Sequence, residues 1–104
     1  MALVTLEEAK EYLRVDSGDE DATIGILLAT ACRICVDVAR LSDKEWNEIN
    51  EGTDDSEKTP VQETMKVAIL YAVGYLFEHR EEADHHALTL TLRSVLFAVR
   101  EGVV

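Results

Sequence analysis

Two cysteines, Cys32 and Cys35, stand three residues apart in the segment ACRIC. That spacing serves redox chemistry when the first thiol lies at an exposed helix N-terminus after a strand, where its pKa falls. Here both thiols fall inside an apolar helical stripe, so they read as buried and reduced. No second cysteine pair accompanies them, and zinc is not indicated. His79, His85 and His86 cluster near Glu78, Glu81, Glu82 and Asp84. The H-E-x-x-H spacing of a metal helix is missing, and the cluster reads as a solvated helix end and turn. The acids of 16–21 suggest calcium, but a calcium-binding helix–loop–helix needs Gly at its sixth loop position and Glu at its twelfth. Counting from Asp16 gives Asp21 and Leu27; counting from Asp19 gives Ile24 and Thr30. Both registers fail. No nucleophile elbow, phosphate loop or dinucleotide turn occurs. The expectation is a protein with no catalytic residue, no metal and no cofactor, and so not an enzyme.

The elements that carry these residues are helices. Thr5-Leu6-Glu7-Glu8 forms a capping box, with Leu6, Ala9, Tyr12 and Leu13 at helical spacing behind it. This short helix, over 5–14, is marginal alone and must dock on something. Gly18 should relieve the backbone at the acidic break, and the acids suit the positive end of the next helix. Ile24, Leu27, Leu28, Ala31, Ile34, Cys35, Val38 and Leu41 mark one long stripe over 20–41. Arg33 and Asp37 form an i,i+4 pair on its outer face. Ser42-Asp43-Lys44-Glu45 repeats the capping box before a short helix with Trp46 and Ile49.

The polar run 50–59 reads as a loop. Thr59 and Pro60 then suit the cap and first position of a further helix. From Val67 to Phe77 that helix is apolar nearly all round, which normally means enclosure. Gly74 inside it implies a close approach by another element. Leu92, Val95, Leu96 and Val99 mark a last helix, and Gly102 is its expected stop. The fold class is all-α: one domain over 1–104, a small bundle of about four to five helices with one long loop at 50–59.

The bulk numbers agree. A chain of 104 residues buries roughly 60–65% of its unfolded surface, enough for one modest core. One Pro and five Gly leave little for a many-turned β fold. A net charge of −11 opposes any grip on nucleic-acid phosphate. Two cysteines without a disulfide framework fit a reducing, intracellular setting. The N-terminal segment lacks the pattern of a signal peptide, and the uncharged run at 67–77 is too short to span a bilayer, so no membrane partner is expected. Enclosing 67–77 takes more partner helices than the chain offers, so copies of the subunit are expected to share the task.

Three stretches together resemble the small head–tail connector (adaptor) family of long-tailed bacteriophages, the DNA-packaging proteins of the lambdoid neck. The first is VTLEEAKEYLRVDSGDEDATIGILLATA. The second is Pro60 followed by VAILYAVGYLFEHRE, and the third is a C-terminal helix with Val95-Leu96 and a late Arg100. The chain departs from the family pattern at Cys32 and Cys35, and it lacks a proline before the last helix.

The resemblance implies a structural protein of the virion neck, assembled in the host bacterial cytoplasm. It would form a ring of about a dozen subunits beneath the portal after packaging. The ring would extend the DNA channel, let DNA pass without specific binding, and offer a surface to the next neck protein. On that reading the subunit interface is expected at Ile26, Arg33, Asp37, Tyr71 and Tyr75. Portal or neck contact is expected at Asp54, Asp55, Arg93 and Arg100. The alternative is a free-standing acidic regulator that masks a basic, DNA-binding partner.

Overall fold

The computed structural model describes residues 3–16, 18–51, 60–79 and 86–100, and among them every regular element is helical. The elements are α1 (Leu6–Leu13), α2 (Asp21–Ala39), α3 (Asp43–Glu51), α4 (Pro60–Glu78), α5 (His86–Val95) and α6 (Phe97–Arg100). The all-α bundle expected from the sequence is what forms, but α3 runs on through Asn50 and Glu51, where the long loop was expected to begin, and the rest of that loop, 52–59, lies outside the described residues. Its C-terminal helix comes in two pieces, broken at Leu96.

Both capping boxes form. The Glu8 N–H donates to Thr5 Oγ1 at 3.1 Å, and the Thr5 N–H donates to the Glu8 carboxylate at 3.2 Å. At α3 the Glu45 N–H donates to Ser42 Oγ at 3.1 Å and the Ser42 N–H returns to Glu45 at 3.0 Å. That backbone N–H, with help from the hydroxyl, holds the Glu45 carboxyl below its ordinary pKa. Each box satisfies amide groups that a helix start leaves without partners.

The break after α1 differs from expectation. Arg14, not Gly18, takes the left-handed conformation, with φ 60°. Its N–H donates back to the carbonyls of Glu11 and Lys10, closing the helix. Arg40 repeats the device after α2, with φ 58° and bonds to Asp37 and Val36. The steric cost of a side chain there, about 1–2 kcal/mol, is offset by carbonyls that would otherwise lack donors.

α2 and α4 pack chiefly on each other and form the centre of the bundle, with α1 and α5 laid against both. α2 contributes Ile24, Ala31, Cys35, Val36 and Ala39 to the core; α4 contributes Met65, Ala68, Ile69, Ala72, Val73 and Leu76. Leu88, Leu92 and Leu96 close the other side. α1 is too short to stand alone and is tied down twice. Glu8 pairs with Lys66 of α4, and Lys10 pairs with Asp21 of α2 at 2.7 Å. Gln62 is buried and donates its Nε2 to the Ile49 carbonyl at 3.1 Å, while the Leu3 N–H donates to Asn50 Oδ1 at 2.7 Å. These two bonds fasten α3 to α4 and to the N-terminal segment. By length and composition alone α2 is apolar enough to cross a bilayer, a property the run at 67–77 lacks.

Candidate functional site

The apolar rod of α4 is only partly enclosed by its own chain. Six of its apolar side chains are buried, yet Val67 is 61% exposed and Tyr71 40% exposed. Two residues along an α-helix turn the side chain by about 200°. Ile69 points inward, so Val67 and Tyr71 on either side of it point outward. α2 repeats the pattern: Ile24 is fully buried, and Ile26 is 67% exposed. The inner stripes of the two helices meet each other. Ile26 and Tyr71 therefore lie on opposite sides of the α2–α4 seam.

The two outward faces differ. On the α4 side the surface is concave. Tyr12, Leu13 and Arg14 from the end of α1 join Tyr71, Gly74, Tyr75, Phe77 and Glu78 around an open groove of about 470 Å³. All three tyrosines of the chain line it. Gly74 shapes it: a Cβ there would lie 3.0 Å from the Tyr12 ring. The close approach expected at Gly74 is thus made by a side chain of α1. Tyr75 is held in place by His79, whose imidazole stacks on the phenol ring at 4.2 Å between centroids and 19° between planes. His79 Nδ1 lies 3.0 Å from the Tyr75 carbonyl, which can only accept, so that nitrogen carries the proton. Beside Val67, a smaller hollow of about 280 Å³ continues the surface to Val95.

On the α2 side the exposed face is uncharged over its first half. Ala22, Thr23, Ile26, Ala29 and Thr30 are exposed, and no residue from Ala22 to Thr30 carries a charge. Thr30 spends its hydroxyl on the Ile26 carbonyl at 2.9 Å, leaving its methyl outward. Farther along, Arg33 bonds Asp37 at 2.8 Å and approaches Asp43 at 4.0 Å. Both Arg33 and Asp37 are exposed, as the i,i+4 spacing implied, but they already serve each other.

Five residues were expected at a subunit interface. Tyr71 and Tyr75 come together in the groove, whereas Ile26, Arg33 and Asp37 share the outer face of α2. Sequence reasoning missed Tyr12 and Arg14, which reach the groove only because α1 folds back onto α4. Of the residues expected to touch portal or neck, Arg93 is exposed between Leu90 and Phe97, themselves 49% and 56% exposed. Arg100 ends α6, and Asp54 and Asp55 lie outside the described residues.

The thiols match the inert reading. Burial pushes the Cys32 thiol up, and burial together with the neighbouring Cys32 pushes Cys35 up to about 12. A thiol so shifted is neither a nucleophile nor a ready ligand at neutral pH. Among the described residues no group of His, Cys, Asp and Glu is arranged to hold a metal ion. His85 lies outside them. What the surface offers is protein-sized contact: tyrosines and an arginine around a hollow, the residue types that dominate interface energies.

The comparisons with known proteins agree with that character. No curated protein and no solved structure matches the chain. The family model described as phage gp6-like head-tail connector protein matches it over residues 3–101. Matched over nearly its whole length, the chain belongs to the phage gp6-like head–tail connector family, whose members are structural connectors.

Proposed function

We propose that this protein is a subunit of a ring beneath the portal, in the neck of a tailed phage, which extends the DNA channel once the head is packed. The observation that carries the reading is the pair of unlike faces, one uncharged and one tyrosine-rich, on opposite sides of the α2–α4 seam. A closed ring is built from heterologous contacts, in which one patch of a subunit meets a different patch of its neighbour. A subunit for such a ring needs two unlike faces pointing apart. Ile26 marks one; Tyr71 and Tyr75 mark the other. Arg33 and Asp37 would border the first.

A third surface is required for the portal. Leu90, Arg93 and Phe97 supply an apolar and cationic patch on an otherwise acidic molecule, and Arg100 follows at the chain's last described residue. The acidic segment with Asp54 and Asp55 is the candidate for contact with the next neck protein. A net charge of −11 per copy would line the channel with repulsion, so DNA could slide without adhering. No step of this role is catalytic. Assembly would take place in the host bacterial cytoplasm.

Electron microscopy of the protein with and without the portal protein of the same phage tests the reading. Rings on the portal, of about a dozen subunits, are the expected result. A protein that never joins the portal, and instead competes with DNA for a basic protein, would overturn it in favour of an acidic mask.

A further inference from the structure

We infer that the ring contact is a specific match between these two faces: the uncharged α2 ridge around Ile26 of one copy seats in the tyrosine groove of the next. The inference rests on the connector reading and adds the identity and polarity of the mating surfaces.

Three observations commit the groove to a second copy. The first is charge. Each copy carries −11, so two copies repel on the whole, and least where the facing surfaces carry no net charge. The stretch Ala22–Thr30 is neutral, and the groove is half aromatic, with Arg14 balanced by Glu78. The second is shape. The exposed edge of α2 stands clear around Gly25, and a groove of about 470 Å³ receives a helix edge rather than a single side chain.

The third is Gly25. A glycine inside a helix is unfavourable compared with alanine, so it needs a reason. Among the described residues, nothing beyond its own turn of helix comes within 4 Å of where its Cβ would stand. The space it leaves empty adjoins Ile26 and opens outward. A neighbour lying close against α2 fills that space. The flanks are complementary too. Arg14 on the groove rim and Asp19 before α2 are both exposed, and neither has an ion-pair partner among the described residues.

The test uses two variants of the full chain, Ile26→Lys and Tyr71→Lys. Both sites are exposed, and each substitution lowers the net negative charge. A loss of association is then not extra repulsion. Circular dichroism and thermal melting show that each variant is folded. Sedimentation at millimolar concentration and raised salt reads association. The wild type should form oligomers, and each variant alone should stay monomeric, with its contact weakened about tenfold or more. Mixed in equal amounts, the variants should form dimers and stop there, because each supplies the face the other has lost. Gly25→Gln, which fills the open space, should weaken association while leaving the fold intact.

Association by either variant alone, a mixture that stays monomeric, or a wild type monomeric under these conditions would overturn the pairing. The connector reading is judged separately, by imaging with the portal. Rings there built from Ile26→Lys or Tyr71→Lys subunits would sink the pairing and leave the ring. Wild-type protein that forms no ring there sinks the ring itself.

Discussion

α2 and α4 are matched in length at nineteen residues, and each carries one glycine in its interior. The two glycines have different explanations. Gly74 is answered within the subunit: the Tyr12 ring lies where a side chain would go. Gly25 meets no other element within 4 Å among the described residues. The helices differ in their outer faces in the same sense. α4 is overlaid by α1 at one end and hollowed into a groove, whereas α2 presents a bare ridge. One helix shows how a subunit accommodates its own parts, and the other shows a surface prepared for something outside it.

The sharpest way to break that comparison is to change two isoleucines two residues apart. Ile24→Ala removes a fully buried side chain and should cost about 2–5 kcal/mol, part of it from the cavity left behind. Ile26→Ala trims a residue that is 67% exposed and should stay within about 0.5 kcal/mol. Urea denaturation monitored by circular dichroism measures both. Similar losses at the two sites would mean that Ile26 is not on an outward face.

Gly74→Leu should have the next largest effect. The added side chain must displace Tyr12 and lift the end of α1, and overpacking of this kind costs about 1–3 kcal/mol. Gly74→Ala is subtler. Its helix-forming advantage opposes a contact at 3.0 Å that Tyr12 must yield, so it should be nearly neutral. In a Tyr12→Ala background the same change should stabilise the protein by about 0.5–1 kcal/mol. A double-mutant cycle in urea shows whether the coupling exists; additive effects would deny it.

Cys35 tests the inward face of α2 by pH. Burial lifts its pKa from 9.0 to about 12 in the folded protein. Below pH 9 the thiol is neutral in both states, and its contribution to stability is complete. Above pH 9 the unfolded chain loses the proton while the folded protein keeps it. Stability should therefore fall as pH rises from 9 toward 12, by about 1.4 kcal/mol per unit for this one group. Cys35→Ala should flatten that part of the profile in urea titrations run at several alkaline pH values. An unchanged slope would mean that Cys35 is not the group responsible.

How much of this was legible in the sequence follows from the range of each interaction. The capping boxes at Thr5 and Ser42 and the pair Arg33–Asp37 span three or four residues, and each formed as the spacing implied. The lengths of α2 and α4 followed from apolar periodicity. The left-handed turn at Arg14 did not, because the choice between Arg14 and Gly18 depends on which carbonyls the closing α1 helix offers. The break at Leu96 was likewise invisible. Part of the candidate site was named in advance: Ile26, Tyr71 and Tyr75 were expected at the subunit contact that the family resemblance implied. Tyr12 and Arg14 were not, because they join the groove only through the fold of α1 onto α4, a contact between residues some sixty positions apart such as Glu8 and Lys66. Tyr12 in fact looked like a core residue, and it is half exposed.

The smallest expected effect is the most discriminating. Gly25→Ala adds one methyl group where the subunit has room for it, and it removes a flexible residue from a helix interior. For the isolated subunit both consequences are favourable, so stability should rise by about 0.5–1 kcal/mol. If the space beside Gly25 is occupied by a neighbouring copy, the same methyl group should weaken association. The two readouts then move in opposite directions: a higher urea midpoint and a shift toward monomer in sedimentation. Variants that merely damage the fold lower both, and variants that merely stabilise it raise the midpoint and leave association unchanged. Only a glycine kept for a partner gives the split.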